Sequence, residues 1–184
     1  MMKKRVFVAV NLPEKVKEEL SRVADKWSEL PVRWVKKDSL HITLCFAGEI
    51  EEEDIFKIKE CMKTVIPNHP KLPIYINSIT LGPSEFNPRM IWANGEVTED
   101  FKKLMKDMHK HSCGCECTGE KVHNFKLHIT MARIGHAKSG RLNKIPSIRE
   151  NVDLKFEAKS VELMESKLLK DGAEYEILQS VRLK

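Results

Sequence analysis

Apolar residues recur along the chain with two different periods. Alternating or continuous apolar runs of strand length predict β-strands at residues 5–10, 32–35, 41–46, 72–81, 90–93, 126–133, 152–156, 160–169 and 175–183. Apolar positions three and four residues apart predict amphipathic helices, which begin after Pro13, in the acidic run 51–54 and after Thr98. Several strands and about three helices without regular β-α-β alternation predict the α+β class.

Size and composition fit one globular unit. The 184 residues, 41% of them hydrophobic, can form a core as one domain or as two closely packed lobes. The net charge of +5 favours a polyanionic partner, although surplus surface lysine explains it equally well. No apolar run approaches the ~18 residues of a membrane span, and the apolar start through Val10 is too short for a signal sequence. We therefore predict a cytoplasmic protein that does not engage a membrane.

The cysteines are odd in number and unevenly spread. They are Cys45, Cys61, Cys113, Cys115 and Cys117. An odd count without an export signal argues against a disulfide framework. Three of the cysteines and three histidines crowd into residues 109–123, and thiolate and imidazole are common zinc ligands. Because the C-x-C-x-C spacing differs from that of common zinc sites, we expect a reduced surface loop there and no metal, with a metal or redox site as the less favoured alternative.

An internal repeat is the most informative feature. Residues 41–48 read HITLCFAG and residues 128–135 read HITMARIG. Side chains alternate between the faces of a strand, so His41 and Thr43 share one face, as do His128 and Thr130. On the first strand, Ile42, Leu44 and Phe46 should share the other, apolar face. One such motif arises by chance, but two copies in matched context favour a functional role.

Two imidazoles and two hydroxyls meeting in one cleft would suit phosphodiester chemistry. An imidazole gains or loses a proton near neutral pH, and a pair of them can act as general base and general acid in one displacement. Threonine hydroxyls can hydrogen-bond the non-bridging phosphate oxygens and orient the group. The residues alone do not decide which histidine would be the acid.

At these motifs the sequence resembles the 2H phosphoesterase superfamily, and within it the RNA 2′,3′-cyclic phosphodiesterase branch, also called 2′-5′ RNA ligase. The similarity extends over nearly the whole chain, through FVAV at 7–10, RWV at 33–35, PRMIW at 88–92, and VELMES at 161–166 followed by Gly172 and Tyr175. It implies a single domain, residues 1–184, made of two related lobes. Two mainly antiparallel sheets would line a central cleft about a pseudo-twofold axis, with the helices outside.

The resemblance also implies roles for the motif residues. His41 would be the general acid and His128 the general base, while Thr43 and Thr130 would bind the phosphate. The implied substrate is RNA with a 2′,3′-cyclic phosphate end, and the implied product is a 2′-phosphomonoester, formed without metal or nucleotide cofactor. Leu127 stands where the branch commonly has proline, which should change backbone stiffness and not the chemistry. We expect a monomer without an obligate protein partner.

Arg133 matches a common arginine of the branch, and a guanidinium suits phosphate. Simple alternation nevertheless places it on the face opposite His128, so it reaches the site only if the strand twists, bulges or ends there. A role at the surface or between the lobes is equally open. Further basic residues could follow an RNA backbone or only solubilise the protein: Arg33, Lys36, Lys37, Lys126, Lys138 and Arg141. Trp34 could stack on a terminal base or pack between the lobes.

Other functions fit parts of these observations. Within enzymes, the alternatives are a cyclic phosphodiesterase for small molecules and a true 2′-5′ RNA ligase. An RNA-binding protein without turnover would use the same cleft for binding alone. A metal-binding interaction module would use the cysteine-rich segment instead.

Overall fold

The computed structural model describes residues 3–111, 125–135, 145–169 and 172–184. Its strands are β1 (Lys4–Asn11), β2 (Arg33–Trp34), β3 (His41–Ile50), β4 (Leu72–Gly82), β5 (Met90–Gly95), β6 (His128–Arg133), β7 (Arg149–Ala158), β8 (Ser160–Leu169) and β9 (Gly172–Arg182). Its α-helices are α1 (Glu14–Ala24), α2 (Glu52–Val65) and α3 (Glu99–Lys110). The α+β class is confirmed.

The helices begin where the sequence predicts. At the start of α3 the Thr98 hydroxyl accepts a hydrogen bond from the Phe101 amide at 3.3 Å, which satisfies one of the free donors of the first turn. Helix α1 ends at Ala24, although apolar positions at helical spacing extend to Trp27 and Leu30, because a short 3₁₀ turn at Asp25–Trp27 takes over. The apolar period continues through that turn, so the pattern alone does not show where the α-helix ends.

The strands form one continuous antiparallel sheet. Its order is β7-β4-β5-β6-β3-β1-β8-β9, and β2 pairs with the free part of β6. The two sheets expected from the sequence are joined between β3 and β6, where Ile42 pairs with Ile129. The strands that carry the repeated motif therefore lie side by side at the centre of the molecule.

The three α-helices of the described ranges pack on the same face of this sheet. A single large core contains Ile42 and Ile129 of the central strands together with Leu20 of α1, Ile58 of α2 and Phe101 of α3. Ile42 and Ile129 are completely buried, and each contributes ~1.5–3 kcal/mol of burial. Because neighbouring residues on a strand point the other way, the residues that flank these two isoleucines project onto the face without helices.

Two cysteines depart from the expectation that the chain has no disulfide framework. Cys45, almost fully buried on β3, and Cys61, on α2, are each disulfide-bonded. The expectation failed because an odd count says nothing about which thiols the fold brings within bonding distance. The other three cysteines lie outside the described residues. Among the helices of the described ranges, none is both long and apolar enough to cross a bilayer.

Candidate active site

The pairing of β3 with β6 brings both motifs to one place. The strands are antiparallel and Ile42 pairs with Ile129, so His41 lies beside Thr130 and Thr43 lies beside His128. Directly paired residues of antiparallel strands share a face. The two histidines and two threonines predicted from the sequence therefore share the helix-free face.

His41 is anchored through one ring nitrogen. Its Nδ1 lies 2.7 Å from the Ser39 carbonyl oxygen, which can only accept, so Nδ1 carries a hydrogen. The other nitrogen, Nε2, lies 3.1 Å from the Thr43 hydroxyl. The ring contacts Phe7 and the edge of Tyr175, each with ring centroids 4.9 Å apart. These contacts fix the imidazole while leaving Nε2 directed at the threonine.

His128 is anchored through the same ring nitrogen, but a different residue packs against its ring. Its Nδ1 lies 2.8 Å from the Lys126 carbonyl oxygen, again two residues earlier in the chain. Its ring stacks on Trp92 of β5 with centroids 4.1 Å apart. The indole Nε1 donates to the Met90 sulfur at 3.4 Å, and the Thr130 hydroxyl lies 3.9 Å from the same sulfur. Trp92 and Met90 thus position both motif residues of β6.

Burial lowers the pKa of both histidines. Loss of solvent lowers the pKa of His41, the Ser39 carbonyl opposes this, and the positive charge of Arg133, His128 and Lys17 lowers it further. Loss of solvent likewise lowers the pKa of His128, opposed by the Lys126 carbonyl. Both rings therefore favour the neutral form, in which an Nδ1–H leaves Nε2 free to take a proton.

Lys17 gives the His41 side an additional positive charge. This lysine of α1 is only 6% exposed. Its ammonium group donates to the Asp38 carbonyl at 3.2 Å, within the 3₁₀ turn Lys37–Ser39 that supplies the anchor of His41. An anion bound beside the histidines would be stabilised by this charge and would raise their pKa values again.

A bulge in β6 brings Arg133 to the same face. Trp92 pairs with Thr130, whereas Ile91 pairs with Ala132, so Met131 is an extra residue. Met131 and Ala132 are consequently both buried, and Arg133 is exposed. Arg133 is close enough to act on the charge of His41. The bulge therefore places Arg133 on the face of the sheet that carries the histidines.

A matching bulge in β3 corrects the prediction for Phe46. Ala9 pairs with Thr43 and Val8 with Cys45, so Leu44 is the extra residue. Phe46 therefore lies on the His41 face and is 59% exposed, rather than on the buried face as simple alternation predicts. It stands five residues after His41, as Arg133 stands five residues after His128. That equal offset is the sequence signal that relates Phe46 to Arg133, and simple alternation along the strand does not reveal it.

Other basic and aromatic candidates are distributed differently. Lys36 pairs with Glu174 at 2.9 Å, and Lys37 forms an ion pair with Glu14. Lys126 is exposed beside His128, and residues 138 and 141 lie outside the described residues. Trp34 pairs with Ala132 on the helix-covered face and lines a cavity of about 260 Å³ there. Trp34 is thus a packing residue and lies on the face opposite the histidines.

The cysteine- and histidine-rich segment falls largely outside the described residues. Only His109 and His111 belong to them, at the end of α3. Among the residues that the structure does describe, no three histidine, cysteine or acidic side chains are grouped to hold a metal ion. The metal hypothesis for residues 109–123 is therefore untested by the structure.

The chain is similar to known proteins over most of its length. Residues 10–92 and 94–175 match the model of the LigT-like phosphoesterase family. A protein of Methanocaldococcus jannaschii named RNA 2′,3′-cyclic phosphodiesterase is 28% identical over 95% of this chain and 98% of its own. A protein of the same name from Methanothermobacter thermautotrophicus is 25% identical over 99% of this chain and all of its own.

Solved structures share the architecture. The protein TT0787 of Thermus thermophilus superposes with a TM-score of 0.80 at 25% identity, covering 97% of both chains. E. coli LigT, solved in complex with 3′-AMP, gives a TM-score of 0.75 at 19% identity, with 100% of this chain and 99% of that chain covered. The second comparison is a likeness of fold alone.

Proposed function

The chain belongs to the LigT-like phosphoesterase family, and from that premise we propose that it hydrolyses the 2′,3′-cyclic phosphate ends of RNA with His41 and His128. The observation that carries the proposal is the shared open face of two anchored imidazoles. Each has Nδ1 tied to a carbonyl and Nε2 left for proton transfer. The relatives named RNA 2′,3′-cyclic phosphodiesterase support the choice of substrate.

The reaction is a single displacement at phosphorus. The cyclic phosphate binds between the two rings, and Nε2 of His128 takes a proton from a water molecule as its oxygen attacks phosphorus. The bond from phosphorus to O3′ breaks, and His41, which enters the reaction protonated, donates its proton to O3′. The product is a 2′-phosphomonoester, and solvent then restores the two protonation states. Both rings have equivalent anchors, so their geometry does not distinguish acid from base. The assignment of His41 as acid and His128 as base follows from the family resemblance.

The remaining groups bind the substrate. Thr43 and Thr130 lie beside the opposite histidine and donate to the non-bridging oxygens, while Arg133 adds positive charge to the same face and so favours binding of the anionic RNA. The exposed ring of Phe46, 5.9 Å from that of Phe7, offers a flat apolar surface for the terminal base. Cytoplasmic location, action without metal or nucleotide cofactor, and a monomeric state remain predictions from the sequence.

The first test removes each imidazole in turn. We expect His41→Ala and His128→Ala each to reduce turnover of a short RNA with a cyclic phosphate end by roughly 10²–10⁴-fold in EDTA, because each ring performs one proton transfer. His109→Ala, at an exposed position on α3, is the matched control and should turn over RNA like the wild type.

Four outcomes would contradict the proposal. Retention of turnover in either alanine variant would exclude a role for that ring. Turnover that depends on added metal would exclude a reaction run by the two imidazoles alone. Tight RNA binding without any turnover would favour an RNA-binding protein, and accumulation of a joined product from a 5′-hydroxyl RNA would favour a ligase.

A further inference from the structure

We infer that Arg33 and Arg133 together form a second anion subsite, which binds the phosphodiester immediately upstream of the cyclic phosphate and makes the enzyme prefer RNA chains to single nucleotides. This inference rests on the proposed function and deepens it. The subsite would take a phosphodiester monoanion of a polynucleotide.

Strand register places the two arginines together. Arg33 of β2 pairs directly with Arg133 of β6, and Trp34 pairs with Ala132. Paired residues of antiparallel strands share a face. Trp34 and Ala132 belong to the helix-covered face, so both arginines belong to the open face that carries the histidines.

The arginine pair continues the row of catalytic candidates. Strands β3 and β2 lie one after the other along the same edge of β6. Along this edge the facing pairs are Thr43 with His128, His41 with Thr130, and then Arg33 with Arg133. Arg133 lies three positions after Thr130, which is about 10 Å of extended chain or less. An anion held by the arginines would therefore be a near neighbour of the reacting phosphate.

The charge of this pair is not compensated by the part of the protein that the structure describes. Both side chains are exposed, and neither has a carboxylate within ion-pair distance among the described residues. Like charges directly opposite each other on paired strands destabilise a sheet. Two arginines at paired positions on one face can bind a phosphate between them, since a guanidinium group binds phosphate through paired donors.

Other basic residues of this region do not offer the same geometry. Lys36 and Lys37 follow β2 directly, but each pairs with a glutamate. Arg149 forms a bidentate pair with Glu85. Arg33 and Arg133 are thus the arginines that face each other beside the histidines without a protein carboxylate between them, within the ranges described.

Dinucleotide substrates test the subsite. Three substrates are compared: adenosine 2′,3′-cyclic phosphate, ApA ending in a 2′,3′-cyclic phosphate, and the same dinucleotide with an uncharged methylphosphonate linkage. We expect the wild type to have a kcat/KM roughly tenfold or more higher for the charged dinucleotide than for the other two, the size of one charged hydrogen-bonded contact.

Arg33→Gln should reduce kcat/KM for the charged dinucleotide roughly tenfold more than for the mononucleotide. The logarithm of its dinucleotide KM should also depend less steeply on the logarithm of salt concentration, by about 0.7 for one lost phosphate contact. Arg182→Gln removes the same charge from the exposed end of β9, and should keep the wild-type preference. Equal melting temperatures of the variants would show that folding is not involved.

A wild type that turns over the charged and the uncharged dinucleotide equally well would overturn the subsite. So would an Arg33→Gln variant that loses the same factor on the mononucleotide and on the charged dinucleotide. A wild type that turns over none of the substrates would instead overturn the proposed function. In that case, fluorescence anisotropy with labelled ApA 2′-phosphate still tests the subsite. The dinucleotide with the charged linkage should bind more tightly to the wild type than to the Arg33→Gln variant, whereas the one with the methylphosphonate linkage should bind equally to both.

Discussion

His41 and His128 are held by the same local contact, although their surroundings differ. In each ring Nδ1 meets the carbonyl of the residue two positions earlier, at 2.7 and 2.8 Å. The sequence identified the two rings and Thr43 and Thr130, because an exact repeat on strands places them on one face. It could not show what packs against them, since Tyr175 and Trp92 come from other strands and their contacts depend on sheet order.

The lowered pKa values of both histidines give a prediction for the pH profile. The productive free enzyme has one ring protonated and one neutral, and kcat/KM reports the ionisation of the free enzyme. A pKa lowered from the ordinary value of about 6.5 moves its limb of the profile to lower pH. Because both values are lowered, we expect a bell-shaped profile for adenosine 2′,3′-cyclic phosphate with its maximum on the acid side of ~6.5.

Measurement of kcat/KM from about pH 4.5 to 8.5, at constant ionic strength, tests this expectation. The two limbs belong to the pair of rings and not to either ring separately. Lys17→Met should shift the profile upward, because it removes a positive charge that lowers the pKa of His41. Lys15→Met, at an exposed position of α1, is the control. A maximum clearly above pH 7 would contradict the environment described for the rings.

The two central strands show where prediction of elements from sequence stops. Both were predicted as strands, and their period-two pattern correctly placed the histidines and threonines. Each then contains a bulge after its threonine, which reverses the faces of the residues that follow it, Phe46 on β3 and Arg133 on β6. Phe46 was therefore assigned to the wrong face, and Arg133 could be placed only conditionally. A bulge depends on pairing with the neighbouring strand, and a single strand pattern does not contain that information.

Strand β4 ends in a glycine, Gly82, that leaves space for Trp92, the residue that stacks on His128. A Cβ atom at Gly82 would lie 2.4 Å from two ring atoms of Trp92, a distance that requires the indole to move. We expect Gly82→Ala to displace Trp92 from His128 and to lower kcat/KM roughly tenfold, with a loss of ~1–3 kcal/mol of unfolding free energy from overpacking.

Kinetics and denaturant unfolding of the two alanine variants check this expectation. Gly135→Ala is the matched control, since a Cβ there meets no atom within 4 Å, and it should leave both quantities near the wild-type values. If Gly82→Ala proved as active and as stable as the wild type, Trp92 would have no part in positioning His128.

At the scale of the whole molecule, we propose that the chain is one domain built from two related halves. The two segments that match the family model, 10–92 and 94–175, support this. So do the equal offsets of Phe46 and Arg133 from the two histidines, and the position of both bulges. The α+β class was readable from the pattern of elements. The joining of strands β7-β4-β5-β6 to strands β3-β1-β8-β9 in a single sheet was not, because it depends on the pairing of β6 with β3 and β2, which are far from β6 in the chain.

The most direct test of the whole account is ³¹P NMR of the product formed from a cyclic-phosphate RNA in ¹⁸O-enriched water with EDTA. Attack of one water molecule activated by His128, with His41 protonating O3′, predicts a 2′-phosphomonoester that carries one solvent-derived oxygen. A 3′-phosphomonoester would show that the leaving oxygen is on the other side of the cleft. A product without solvent oxygen would show that water is not the nucleophile.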